Sequence, residues 1–163
     1  MCDQSTGYEI KQIVDRSTRF FWAASYGQIY PELRRLEDRG LVFSTSQPSG
    51  GRARRVYELT ASGRRALQRW LSSPDEHFYE LRDEGMLKLF FSGSLPQQRI
   101  ANLARLRAHQ ERKLAQLDEI ATAADDMQLG PQLTLSLGTG LTQWLINWCR
   151  ETESLLTAES ERE

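Results

Sequence analysis

Residues 25–60 read SYGQIYPELRRLEDRGLVFSTSQPSGGRARRVYELT, and this stretch decides the fold. Ser25 is a residue type that caps helices, and Ile29, Leu33 and Leu36 recur at i, i+4 and i+7, so one apolar stripe faces a core. Tyr26, Gln28, Tyr30 and Arg34 lie off that stripe. Gly40 follows as the glycine that ends the helix. Leu41 to Gln47 and Arg54 to Leu59 then favour strand on either side of the turn cluster Pro48-Ser49-Gly50-Gly51. A helix running into a two-stranded hairpin, with Arg52, Arg54 and Arg55 at or beside its tip, is the outline of a winged helix-turn-helix.

Working outward, Thr6 caps a helix over about residues 7–18 and the polar opening MCDQST reads as frayed. Phe20, Phe21 and Trp22 are too apolar for a solvated connection, so they are expected beneath the second helix. Beyond the hairpin, Thr60 caps a helix to about Leu71 with Ala66, Leu67, Trp70 and Leu71 inward. Ser72-Ser73-Pro74 ends it. The reading continues with a helix over residues 78–92 and a long one from Pro96, capped by Ser94, to about Ala124. A loop at Asp125-Asp126 and Gly130-Pro131 precedes a last helix over residues 132–157, whose Leu133, Leu137, Leu141, Trp144, Leu145 and Trp148 form one broad apolar side. A charged, disordered end is expected from Glu159. The expected class is mainly α with a small β-hairpin: a winged helix-turn-helix domain over 1–74 and an α-helical dimerisation and effector domain over 75–163.

The order Gly7-Tyr8-Glu9-Ile10, Phe21-Trp22, Gly27-Gln28-Ile29-Tyr30-Pro31-x-Leu33-x-x-Leu36-Glu37-x-x-Gly40-Leu41-Val42 and Gly51-Arg52-x-Arg54-Arg55-Val56-Tyr57-x-Leu59-Thr60-x-x-Gly63 resembles the PadR family of bacterial transcriptional regulators. Arg82-Asp83-Glu84, Leu87-Lys88-Leu89-Phe90-Phe91 and the long helices after them resemble its longer-tailed subgroup. The resemblance implies a carboxy-terminal dimer and a double-stranded DNA operator. It also shows a departure: family members begin with an apolar helix before Gly-Tyr-Glu-Ile, and there are no residues here from which to build one.

The 163 residues carry a net charge of −1, but the charge is split. Residues 1–74 hold 12 Lys and Arg against 7 Asp and Glu, while residues 75–163 hold 9 against 15. Nucleic acid is therefore expected at the front half, and the acidic back half is repelled by phosphate. Cys2 and Cys149 have no metal-ligand spacing, and His77 and His109 have no Asp, Glu or Cys clustered around them. No phosphate loop, nucleophile elbow or dinucleotide fingerprint occurs. The reading is of a non-enzyme without metal or cofactor. No signal peptide or membrane-length apolar run is seen, so a cytoplasmic location is expected.

The candidate DNA contacts are Ser25, Tyr26, Gln28, Tyr30, Pro31 and Arg34 on the recognition helix and Arg52, Arg54 and Arg55 on the wing. Gln can pair with adenine, and Arg with guanine or phosphate. Trp22, Trp144 and Trp148 are candidates for a small aromatic effector, because flat rings stack on planar ligands. The same three serve equally as core and interface anchors. The expected function is a homodimeric repressor relieved by a small molecule. The alternatives are a protein-interaction module whose winged helix no longer binds DNA, and a MarR-like regulator.

Overall fold

The structure, a computed structural model, describes residues 4–48, 54–76, 80–95, 97–123, 127–160 and 162. The chain divides into two compact units, residues 1–78 and 79–163.

In the first unit, β1 (Gln4–Thr6) leads into α1 (Gly7–Arg16), a short 3-10 turn (Thr18–Phe20) and α2 (Tyr26–Asp38). The hairpin β2 (Val42–Gln47) and β3 (Arg54–Leu59) follows, then α3 (Ala61–Leu71). The sheet order is β1-β3-β2, antiparallel throughout, with Thr45 and Thr6 flanking Val56 on its two sides. For residues 4–6 this differs from the frayed start expected: they pair with β3, which satisfies backbone groups that an outer strand would leave open, while residues 1–3 lie outside the described residues.

Local chemistry sets each boundary. Thr6 Oγ1 accepts from the Glu9 amide at 3.2 Å and Glu9 Oε2 accepts from the Thr6 amide at 2.8 Å, a reciprocal cap on α1. At the far end of α2, Gly40 takes φ +64, its amide donates to Glu37 O at 2.8 Å, and the Leu41 amide donates to Leu36 O at 2.9 Å. These paired bonds close the last helical turn and aim the chain into β2. Thr60 then ties the hairpin to α3: its amide donates to Leu41 O at 3.1 Å, and its hydroxyl accepts from the Gly63 amide at 3.0 Å. Ile29, Leu33, Val42 and Tyr57 form the core, flanked by Ile10, Ala24, Leu36 and Leu59.

Two apolar groups are not where the sequence suggested. Phe21 and Trp22 are exposed, Trp22 to 76%, so they do not pack beneath α2, whose inner side is already filled by Ile10 and Ala24. On α3 the supposed inward face is open, with Leu67, Trp70 and Leu71 all exposed and only Gly63 buried. Within its own unit, α3 packs chiefly at its amino-terminal turn.

In the second unit, α4 is only Glu84–Phe90, shorter than the helix expected over 78–92, of which residues 77–79 lie outside the described residues. Asp83 is the reason for the late start: its carboxylate accepts from the Met86 amide at 3.1 Å and caps the helix there. After a 3-10 turn (Ser92–Ser94), α5 spans Gln98–Thr122 and α6 Leu129–Ser160. The cap expected at Ser94 is replaced by Gln97, and Pro96 lies outside the described residues. Gly130 and Pro131 belong to the first turn of α6, not to a loop. Proline is tolerated there because its missing N–H has no helical partner to lose. The disordered end expected from Glu159 is corrected for Glu159 and Ser160, which are helical; Glu161 and Glu163 lie outside the described residues.

α5 and α6 lie antiparallel, with Arg107 meeting Glu153 early in α5 and Leu117 meeting Gly138 toward its end. Leu103, Leu106, Gln110 and Leu117 on α5 and Thr142, Ile146 and Cys149 on α6 fill the seam, at spacings of three, four and seven. Met86, Leu89, Leu145, Trp148 and Leu156 pack around it. Glu111 joins Arg107 at 3.2 Å and Arg150 at 2.9 Å, and Arg107 joins Glu153 at 3.1 Å, an ion-pair ladder along the seam. Only part of the broad apolar side of α6 is used: Leu133, Leu137, Leu141 and Trp144 remain exposed.

Candidate nucleic-acid interface

α2 presents its outer side by default, because Ile29 and Leu33 anchor the opposite one in the core. At about 100° per residue, Tyr26, Tyr30 and Arg34 fall along one flank and Gln28 on the other, with Gly27 and Pro31 on the ridge between. That ridge is low. A Cβ at Gly27 would meet only Ser25 Oγ, at 3.7 Å, so another surface can come close to the backbone here. Pro31 inside the helix also leaves the Gly27 carbonyl without its usual helical donor.

The tyrosine flank is built from two helices. Tyr26 and Tyr30 stack with ring centroids 6.2 Å apart and planes 19° from parallel. Lys11 of α1 stands 5.6 Å from the Tyr26 ring centre and pairs with Asp15. Gly7 lets the Tyr30 ring lie against the start of α1. Tyr30 is thus partly covered and partly presented. Arg34 is exposed and has no partner among the described residues. Lys11, Asp15, Arg19, Ser25, Tyr26 and Gln28 border an open groove of about 610 Å³ between α1 and the start of α2.

Gln28 has a structural task. Its Oε1 accepts from the Ser25 amide at 2.8 Å and from Ser25 Oγ at 3.0 Å, closing the first turn of α2. Ser25 is correspondingly occupied in the cap.

Of the wing arginines, Arg54 and Arg55 are held, not free. Arg54 pairs with Glu9 of α1. Arg55 donates through Nε to Ser44 Oγ at 2.8 Å, pairs with Glu37 of α2 at 3.1 Å and lies over the Tyr57 ring at 5.8 Å. The Glu9 carboxyl is lowered from its ordinary value by the Thr6 amide first, then by the Thr6 hydroxyl and Arg54. Both guanidiniums keep about half of their side-chain surface exposed, so each can add a phosphate to an existing carboxylate partner. Arg52 lies outside the described residues.

Sequence reasoning missed Gly7, Lys11, Glu9, Glu37 and Ser44, which position the named residues. The Thr6 to Glu9 spacing was a legible capping signal; the Glu37 to Arg55 pairing, across a helix end and a hairpin, left none. Trp22 belongs to the first unit, whereas Trp144 and Trp148 belong to the second. Trp148 is half-buried in the helical seam and Trp144 is 63% exposed. An open groove of about 510 Å³ in the second unit is lined by Leu81, Asp83, Met86, Leu87, Leu89 and Phe90, without either tryptophan.

Residues 2–69 match the transcriptional regulator PadR-like family, and residues 81–157 match the family described as virulence activator alpha C-term. Residues 2–69 thus form a domain of the PadR-like family of transcriptional regulators. Among curated relatives, the negative transcriptional regulator PadR of Bacillus subtilis is 28% identical over 156 residues, 88% of this chain and 85% of that protein. The crystal structure of that PadR in complex with operator DNA matches with TM-score 0.82 at 25% identity, covering 94% of this chain and 92% of the other. Its complex with p-coumaric acid matches with TM-score 0.75 at 24% identity, covering 94% and 88%. The Vibrio cholerae virulence activator AphA matches with TM-score 0.70 at 28% identity, covering 96% and 92%. A PadR-like regulator leaves the MarR-like alternative without support. No described helix of this PadR-like chain is long and apolar enough to cross a membrane.

Proposed function

We propose that this PadR-like regulator binds an operator as a cytoplasmic homodimer, represses transcription by occupying it, and releases it when a small aromatic effector binds. Residues 1–74 act as the DNA-binding domain and residues 75–163 as the dimerisation and effector domain. The observation that carries the reading is the outer side of α2. It offers Tyr26, Tyr30 and Arg34 around a low Gly27-Pro31 ridge, beside a wing that bears Arg54 and Arg55, in a chain similar to a PadR solved on operator DNA.

Each group has a role suited to its placement. Arg34 is unpaired among the described residues and long enough for a base edge or phosphate. Ser25 and Pro31 shape the first turns. Tyr26 and Tyr30 offer hydroxyls that position the helix on the backbone, and Arg52, Arg54 and Arg55 meet phosphates flanking the groove. Leu133, Leu137, Leu141 and Trp144 form an exposed stripe on α6 that a second copy covers. Two recognition helices then address half-sites roughly 34 Å apart, one duplex turn. The Bacillus relative's complex with p-coumaric acid supports an aromatic effector class, with Trp144, Trp148 and Trp22 as candidate contacts. An effector that favours another arrangement of the dimer would change the separation of the two helices.

The test is a fluorescence-anisotropy titration of the chain against DNA from upstream of its own gene and against a scrambled duplex, at two salt concentrations. Preferential, salt-sensitive binding to the upstream duplex supports the reading. Equal binding to both, or none, favours the protein-interaction alternative.

A further inference from the structure

We propose that Gln28 reads guanine rather than adenine, because the cap it makes on α2 spends its acceptor and leaves only its donor for the duplex. The inference rests on the DNA-binding reading above and deepens it by naming a specificity-determining residue.

The orientation of the Gln28 amide follows from chemistry. A backbone N–H can only donate, so the atom 2.8 Å from the Ser25 amide must be the Gln28 oxygen. The Ser25 hydroxyl donates to the same Oε1 at 3.0 Å. Both lone pairs of that oxygen are therefore occupied. Gln28 is exposed, and its Nε2 has no partner among the described residues. Two N–H donors thus project from the first turn of α2, the part of a recognition helix that enters the major groove.

Pairing with adenine uses both ends of a Gln amide: the nitrogen donates to N7 and the oxygen accepts from the N6 amino group. Here the oxygen is committed, and an adenine would leave its amino group unmatched. Guanine offers two neighbouring acceptors, N7 and O6, to the same donor group. The cap converts a side chain that is ambiguous in sequence into a one-sided donor. Taking adenine instead would cost α2 its reciprocal cap.

Gln28→Glu separates the two tasks. One carboxylate oxygen still accepts from Ser25, so the helix cap is kept, while the other replaces the outward donor by an acceptor. The parent and Gln28→Glu are each used to select from a random-sequence duplex library, with thermal unfolding followed in parallel. The expected result is a guanine at one symmetric position of each half-site for the parent, with roughly tenfold weaker binding when it is exchanged. In Gln28→Glu that preference moves to a base presenting an amino group, cytosine or adenine, at unchanged thermal stability. Replacing that guanine by 7-deazaguanine weakens the parent severalfold and leaves Gln28→Glu indifferent. If the parent selects a motif that Gln28→Glu selects identically, or if the position that responds is adenine in the parent's motif, the inference is overturned while DNA binding stands. A parent that enriches no sequence overturns both.

Discussion

Gly7 and Tyr30 meet where α1 begins: a Cβ added at Gly7 would stand 2.5 Å from Cε1 of the Tyr30 ring. Gly63 and Leu41 make a second close approach, where the added Cβ would lie 1.9 Å from the Leu41 carbonyl oxygen. The first clash is with a partly exposed side chain that can swing away. The second is with backbone that the cap on α3 holds in place. The two glycines therefore predict opposite phenotypes.

Gly7→Ala should leave the fold intact, since alanine also favours the helix it would join, by roughly 1 kcal/mol over glycine. The displaced Tyr30 ring should lower DNA affinity severalfold. Thermal unfolding and a duplex titration of the same preparation check both halves. A variant that binds as well as the parent would mean that the Tyr30 position does not matter to the duplex.

Gly63→Ala should destabilise the first unit, because the carbonyl of Leu41 must move and its bond from the Thr60 amide with it. Overpacking of this kind costs about 1–3 kcal/mol, more when backbone must shift. Denaturant unfolding measures the loss. Full stability would show that the α3 junction is looser than its geometry.

The wing arginines predict a salt signature. Each phosphate neutralised contributes about 0.9 to the slope of log K against log salt, so Arg54→Ala with Arg55→Ala should flatten the slope by up to about 2. Glu9→Gln should act in the opposite sense and strengthen binding to all sequences alike, by removing the carboxylate that competes for Arg54. Unchanged slopes in both variants would take the wing off the contact list.

The ion-pair ladder between α5 and α6 predicts acid sensitivity. The Glu111 carboxyl is held below its ordinary value of 4.5, by hydrogen bonding to Arg150 first and then to Arg107. A lowered folded-state pKa contributes stability that is present above 4.5 and is lost as pH falls through the lower folded value. Glu111→Gln should remove that part of the pH dependence. A thermal-unfolding series from neutral pH down to about pH 3, run on parent and variant, reads it: parallel curves below pH 4.5 would contradict the assignment.

Much of the first unit is legible in the sequence because its signals are local. The Thr6 and Ser25 caps, the Gly40 stop, the hairpin residues and the Ile29-Leu33 stripe are set within one or two turns of chain. What escapes depends on contacts that residue spacing does not show. Trp70 and Leu71 look like core residues in sequence yet stand exposed, because none of the described residues of their unit covers them. Gln28 looked free to read adenine until its partner Ser25 was seen to occupy its oxygen. The early start of α6 at Leu129 was hidden by reading Gly130-Pro131 as a breaker, although proline in a first turn forfeits nothing. On α6, Leu145 reads as part of the outer stripe but packs in the seam of its own chain, so Leu137 and Trp144 are the positions that test dimerisation without disturbing the fold.

That α2 is the surface that reads DNA is tested most directly by one titration: parent against Tyr30→Ala with Arg34→Ala, on DNA from upstream of the protein's own gene and on a scrambled duplex. Both side chains lie outside the core clusters, so the double variant should keep the parent's thermal stability and sedimentation. The predicted result is a severalfold smaller preference for the upstream duplex, the remainder carried by Gln28, with salt-sensitive binding to both duplexes retained through the wing. Undiminished preference for the upstream duplex in the double variant would contradict it.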